Sequence, residues 1–243
     1  MEIHKPKPVH SWRELLTEIG VIVIGVAIAL AAEQMVEGWR DARSSRDARE
    51  AIREELAIDL SDWLMRNKDQ ACIDRRLGEI GAYLEAANRN QATEPPNWIG
   101  RPRIAVSFSG QWLTATQSGR ASLLPKSEAA GYANMYYTIQ IAQEDGKEEQ
   151  RSWAELRALE RVRPLTPQMT KEFQVALSQA RLFNWHIQLE TLRLTEVART
   201  VDIRPIPNYR RVGAGLNATS VCIPISTQAA KAQAMIGSYG DPD

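Results

Sequence analysis

Few residues in this chain have a type and spacing that suit chemistry. Of its three histidines, His4 and His10 lie at the amino-terminal end. His186 stands alone between Trp185 and Ile187, a setting that fits a partly buried helix residue better than a base or ligand, which needs converging partners. Cys72 and Cys222 are too far apart for a CxxC metal or dithiol site. They are either two unrelated buried thiols or a disulfide, which would close a loop of about 150 residues and contribute roughly 5 kcal/mol by chain entropy. No HExxH, GxSxG, Walker loop or GxGxxG occurs. Gly213 and Gly215 lack the strand-turn-helix setting of a phosphate loop, and Asn217-Ala218-Thr219 has only the form of a glycosylation acceptor. Tyr136-Tyr137 and Phe183 with Trp185 have core-like helical spacing, so packing is expected of them. No catalytic residue, metal or cofactor is expected, no small-molecule substrate is identified, and the chain does not read as an enzyme.

One carboxylate remains, Glu18, and its setting directs attention to the element that carries it. Leu15 to Val36 forms a run with no charged side chain between Ile19 and Ala32. As a helix it measures about 33 Å, enough to cross a bilayer. Ala27, Ala29 and Ala31 imitate a signal-peptidase site, but the charged sequence beyond continues as helix, so an uncleaved anchor is expected. Glu18, Ile22, Gly25, Ala29, Ala32 and Val36 share one face. Gly25 and Ala29 form a small-xxx-small pair that lets a second helix approach closely. Glu18 lies about one turn inside the boundary, where it can reach headgroups, meet another helix or couple to protons.

Basic residues flank the anchor on both sides, Lys5, Lys7 and Arg13 before it and Arg40, Arg43, Arg46 and Arg49 after it. Long domains translocate largely regardless of such charges. The expected topology is a cytoplasmic tail over residues 1–14, a transmembrane helix over 15–36 and a periplasmic helical domain over 37–243, a compartment that also suits a disulfide. Lysine plus arginine equal aspartate plus glutamate, 30 each, so no net field draws the chain to nucleic acid. About two hundred residues beyond the anchor are enough for one domain with a real core.

The fold class predicted is all-α, a single amino-terminal transmembrane helix continuing into a long-helix bundle. Trp39 suits the aromatic belt at the interface, and the helix is expected to run on over about 37–87. Within it, Glu37 to Glu55 reads as a solvated stalk, and Ile52, Leu56, Leu60 and Trp63, then Ile73, Leu77, Ile80 and Leu84, recur at packing spacing. Proline, asparagine and glycine mark a loop over 88–102, and Ile104 to Phe108 reads as a brief extended piece. A short helix over 110–117 ends at Ser118-Gly119, with the glycine as left-handed cap and Leu123 and Leu124 folding back on it. Ser127 can cap a helix over 127–160 that runs through Gly146. Thr166-Pro167 opens a strongly amphipathic helix over 166–201, and a last short helix is expected over 226–236.

The run RELLTEIGVIVIGVAIALAAEQMVEGWRDARSSRDAREAIREELAIDL resembles the start of a group of uncharacterised bacterial single-pass inner-membrane proteins, which share its E-hydrophobic-G-hydrophobic-A-L-A anchor and charged helix. The order of Trp112, Ser118-Gly119 and Tyr136-Tyr137 is similar to that group's W, SG and YY arrangement. The resemblance implies a single-pass helical protein of a bacterial inner membrane and no activity. TEIGVIVIGVAIALAA also looks loosely like the first helix of type IV pilins, but Glu18 follows Leu15-Leu16-Thr17 without the glycine-phenylalanine or glycine-methionine processing junction. The function expected is a membrane-anchored helical scaffold or interaction protein that self-associates. The alternative is a periplasmic sensor or energy-coupling subunit acting through its anchor. The partners expected are the lipid bilayer and a second copy or another membrane protein.

Overall fold

A computed structural model describes residues 12–209 and 220–237. His4, His10, Gly213, Gly215, the Asn217 acceptor sequence and most of the 1–14 tail lie outside these. The described residues are helical with no strand: α1 Trp12–Lys68, α2 Gln70–Asn88, α3 Gly110–Gln117, α4 Lys126–Arg157, α5 Pro167–Thr200 and α6 Ala229–Gly237.

The first third of α1 contains a window of mean hydropathy 2.5, none of it buried in the chain. It is long and apolar enough to cross a membrane. From Ala48 onward α1 enters the core through Ile52, Leu56, Leu60 and Trp63, so Leu15 to Val36 and the first core residues belong to one unbroken helix. The stalk over 37–55 is solvated only in its first part: Ile52 is fully buried and Glu55 nearly so.

The helix expected over 37–87 is two helices. Asp69 interrupts it with φ −84° and ψ 0°, its N–H bonding to the Arg66 carbonyl three residues back and its own carbonyl accepting from Cys72 and Ile73. No glycine or proline marks the break. Its cause is tertiary, since the Asp69 carboxylate faces the Arg103 guanidinium at 3.4 Å.

α4 and α5 form an antiparallel hairpin, and α1 followed by α2 lies along it. Ile52, Leu56, Leu60 and Trp63 pack with Tyr132, Met135, Ile139, Ile187 and Leu194. Ile73, Leu77, Ile80 and Leu84 pack with Trp153, Leu156, Phe173, Leu177 and Ala180. A polar layer separates these two apolar clusters. Arg66, 2% exposed, lies between them and donates to Glu149 at 2.6 Å and to Asn184 at 3.1 Å.

Helix ends follow local chemistry where it is present. The Thr166 hydroxyl accepts from Met169 N–H at 3.2 Å, with Pro167 in the first position of α5. Gly119 has φ 75° and follows α3 as expected. Ser127 does not cap α4. The helix begins one residue earlier, where Pro125 offers its carbonyl to the N–H groups of Glu128 and Ala129. α4 runs unbroken through Gly146. Leu124 is buried in the cluster that holds Ala115 and Trp112 of α3, whereas Leu123 is 39% exposed.

The link from α2 to α3 carries the largest surprise. Ile104 to Phe108 forms neither helix nor strand; α1 holds it through carboxylates. Val106 N–H donates to Asp62 at 3.0 Å, Phe108 N–H to Asp59 at 3.0 Å and Gln111 N–H to Glu55 at 3.1 Å. On the other side Gln143 and Gln150 of α4 donate to the carbonyls of Ser107 and Pro102. This strap ties α1 to α4.

Candidate functional site

The residues singled out from the sequence fall into separate places. Glu18, Ile22, Gly25, Ala29 and Ala32 all lie on the exposed part of α1, and a Cβ built on Gly25 meets nothing within 4 Å. No other part of the chain covers this stripe among the described residues. Cys72 and Cys222 are joined in a disulfide, which fastens the first turn of α2 to the single 3-10 turn Ser220–Cys222. His186 sits on α5 with Nδ1 3.7 Å from Asp145 and ring contacts to Phe183 and Trp185. Among the described residues no group of three or more side chains could hold a metal ion.

A cleft of about 510 Å³ opens between the strap and α4, bounded by Trp63 and Arg66 of α1, Arg103 to Val106 of the strap, Gln143 to Arg151 of α4 and Ile187 of α5. The polar layer supplies its charged wall. Burial pushes the Glu149 carboxyl up, while the Arg66 charge and hydrogen bond and the Trp153 indole act the other way. Arg103 pairs with Asp69 and Arg151 with Glu148. The positions of Arg66, Glu149 and Asn184 on three helices give no local sequence signal.

The carboxylates beneath the strap have a sequence signal that is easily misread. Glu55, Asp59 and Asp62 follow the four-three spacing of one helix face, which in sequence looks like a solvated stripe. All three are buried. Tyr136 donates to Glu55 at 2.6 Å, and burial together with this carboxylate raises the phenol well above its ordinary value. Asp59 is fully buried, and burial pushes its carboxyl up to about 8. The Phe108 N–H opposes that rise, while Glu55 and Asp62 add to it.

The sign of the resulting pH dependence follows directly. Between the unfolded value near 3.9 and the folded value near 8, the folded chain holds a proton on Asp59 that the unfolded chain has released. Its stabilising effect is therefore full below about pH 4 and is lost as the pH rises towards 8. Urea denaturation of the wild type is expected to show a decline of roughly 2 to 4 kcal/mol from pH 5 to pH 8. Asp59→Asn removes most of it, leaving a remainder from Asp69 and Glu149, whose carboxyls burial also raises. An undiminished decline in that variant assigns it to another group.

A second apolar stripe runs along the outside of α5. Its inner face is buried through Phe173, Ala176, Leu177, Ala180, Ile187 and Leu194. Its outer face exposes Val175 by 52%, Leu182 by 48%, Trp185 by 54% and Leu192 by 62%. With Ser178 and the half-buried Leu189, these positions alternate three and four residues apart, the spacing of a coiled-coil seam. The sequence pattern showed an amphipathic helix, but a helix apolar on two faces is distinguished from one with a broad single face only by the packing. Compared with protein-family models, curated proteins and solved structures, the chain matches none of them.

Proposed function

We propose that this chain is a membrane-anchored helical interaction protein that associates with a second copy of itself. The carrying observation is the seam on α5, where Val175, Leu182, Trp185 and Leu192 are all exposed. In this reading the first third of α1 lies in a bacterial inner membrane and the bundle projects into the periplasm. Two copies anchored in one membrane stand at one height with α5 running in the same sense. A parallel two-fold then places each seam residue opposite its own copy. The flanking positions accept this arrangement: Gln174 faces Gln179, Arg181 faces His186 and Gln188 faces Arg193, with no acid-acid or Lys/Arg-Lys/Arg pair. Confinement to a bilayer raises the effective concentration of the partner. The Gly25-Ala29 face of the anchor offers a further contact.

The test is cysteine crosslinking of the full chain in liposomes. Ser178→Cys is expected to crosslink to its own copy, and Leu182→Glu combined with Leu192→Glu to abolish the dimer while leaving the circular dichroism unchanged, because both side chains are exposed. A chain that stays monomeric at high density in liposomes overturns the proposal. The second reading, a sensor acting through its anchor, draws support from Trp63 and Arg66. Both line the cleft and belong to the same unbroken helix as the membrane segment.

A further inference from the structure

We propose that the cleft between the strap and α4 binds a small, soluble organic anion with an apolar body. Its volume of about 510 Å³ falls within the range of small-molecule sites, roughly 300 to 1,000 Å³. The apolar part of its wall comes from Trp63, Ile104, Val106 and Ile187. The charged part comes from Arg66, Arg103, Lys147 and Arg151, set against the one carboxylate of Glu149.

The pairing of these charges leaves a remainder. Glu149 answers Arg66, Asp69 answers Arg103 and Glu148 answers Arg151. Lys147 is exposed and has no ion pair among the described residues. Arg66 is 2% exposed, yet its Nε–H is buried without an acceptor. That nitrogen is closed off from the cleft, so what Arg66 gives the cleft wall is its positive charge, shared with Glu149. The one cation left over, Lys147, suits a single anionic group, and the apolar wall suits a hydrocarbon or aromatic body attached to it.

Gly146 adds an independent observation. It lies in the interior of α4, where glycine is unfavourable relative to alanine, and a Cβ built there meets nothing within 4 Å. Close packing therefore does not require it. Gly146 lines the cleft, and the missing side chain keeps that wall open. The ligand is soluble because of height. Trp63 lies about 27 residues beyond Val36 along α1, about 40 Å at 1.5 Å per residue, out of reach of a bilayer lipid. This last step rests on the anchor crossing the membrane; the chemistry of the cleft does not.

The test is isothermal titration of the full chain in nanodiscs, with empty discs as the reference. Three probes separate the contributions: 4-phenylbutyrate, its uncharged counterpart 4-phenylbutanol, and acetate. Saturable binding of 4-phenylbutyrate at one per chain is expected, with 4-phenylbutanol and acetate each at least tenfold weaker. Gly146→Leu, which fills the cleft and favours helix, is expected to weaken 4-phenylbutyrate at least tenfold while the melting temperature holds or rises. Lys147→Glu, at an exposed position, is expected to weaken the acid and leave the alcohol unchanged. Absence of saturable binding, equal binding of acid and alcohol, or unchanged binding in Gly146→Leu overturns the proposal. None of these readouts depends on self-association, so the two proposals fail separately.

Discussion

Replacing Cys72 and Cys222 together by serine is expected to lower the stability of the bundle by about 5 kcal/mol. The disulfide joins residues 150 apart in sequence. On the chain-entropy argument, freeing so long a loop gives the unfolded state the conformations that the cross-link denied it. The site lies where the chain needs such help. The segment from Ser220 to Ile225 has only one short turn, and it must stay packed so that Val221 and Ile223 remain buried. Urea denaturation of oxidised wild type, reduced wild type and the double serine variant checks the expectation. The last two should coincide well below the first. A loss under about 1 kcal/mol would mean that the packing of Val221 and the contacts around α2 hold the segment unaided.

The second large effect is expected one helical turn away, at Arg76. This guanidinium is fully buried, and it donates to the carbonyls of Trp98 at 2.8 Å, Ile99 and Ile223, while its Nε meets Glu79 at 2.8 Å. Burial lowers its pKa and Glu79 works against that fall. Two irregular segments that have no strand or helix to satisfy their carbonyls thus share one side chain. Arg76→Met fills the space but leaves three buried acceptors dry, and a loss of about 3 to 5 kcal/mol is expected. Arg76→Lys should recover less than half, because an ammonium cannot spread its donors as a planar fork does. Denaturation gives the magnitude, and faster amide exchange around 97–99 and 223–225 gives the location. An unchanged exchange pattern would refute the clamp. Because Cys72 and Arg76 hold the same segment, the combined variant should cost less than the sum of the two.

What could be read from the sequence had a local chemical cause. Thr166 with Pro167 announces the start of α5, Gly119 the turn after α3, and the recurrence of Ile52, Leu56, Leu60 and Trp63 a core face. The features that escaped are those for which the partner lies far off in sequence. Asp69 breaks a helix without any breaking residue, because what it faces is Arg103. Arg76 beside Arg75 looks like surface charge, and only the arrival of Trp98, Ile99 and Ile223 makes it structural. Glu55, Asp59 and Asp62 look like a wet face, since a carboxylate that serves as an acceptor for a remote backbone has the same spacing as one that serves only water. Arg66, Glu149 and Asn184 become a polar layer only once three helices align. The candidate cleft was therefore invisible in the sequence, whereas the long apolar run at the start of α1 was plain.

The strap behaves as a ruler laid on a screw. Along an extended chain, alternate amides point the same way, so Val106 and Phe108 address α1 together while Ser107 turns its carbonyl to Gln143. Along the helix, matching oxygens recur every three or four residues, at Asp62, Asp59 and Glu55, and the two series run in opposite directions. Such a pairing has discrete settings. A slip of one residue would turn the Val106 and Phe108 donors away from α1. The spacing between α1 and α4 on this side of the bundle is thereby indexed, and the width of the cleft is fixed by counting rather than by the stiffness of the strap.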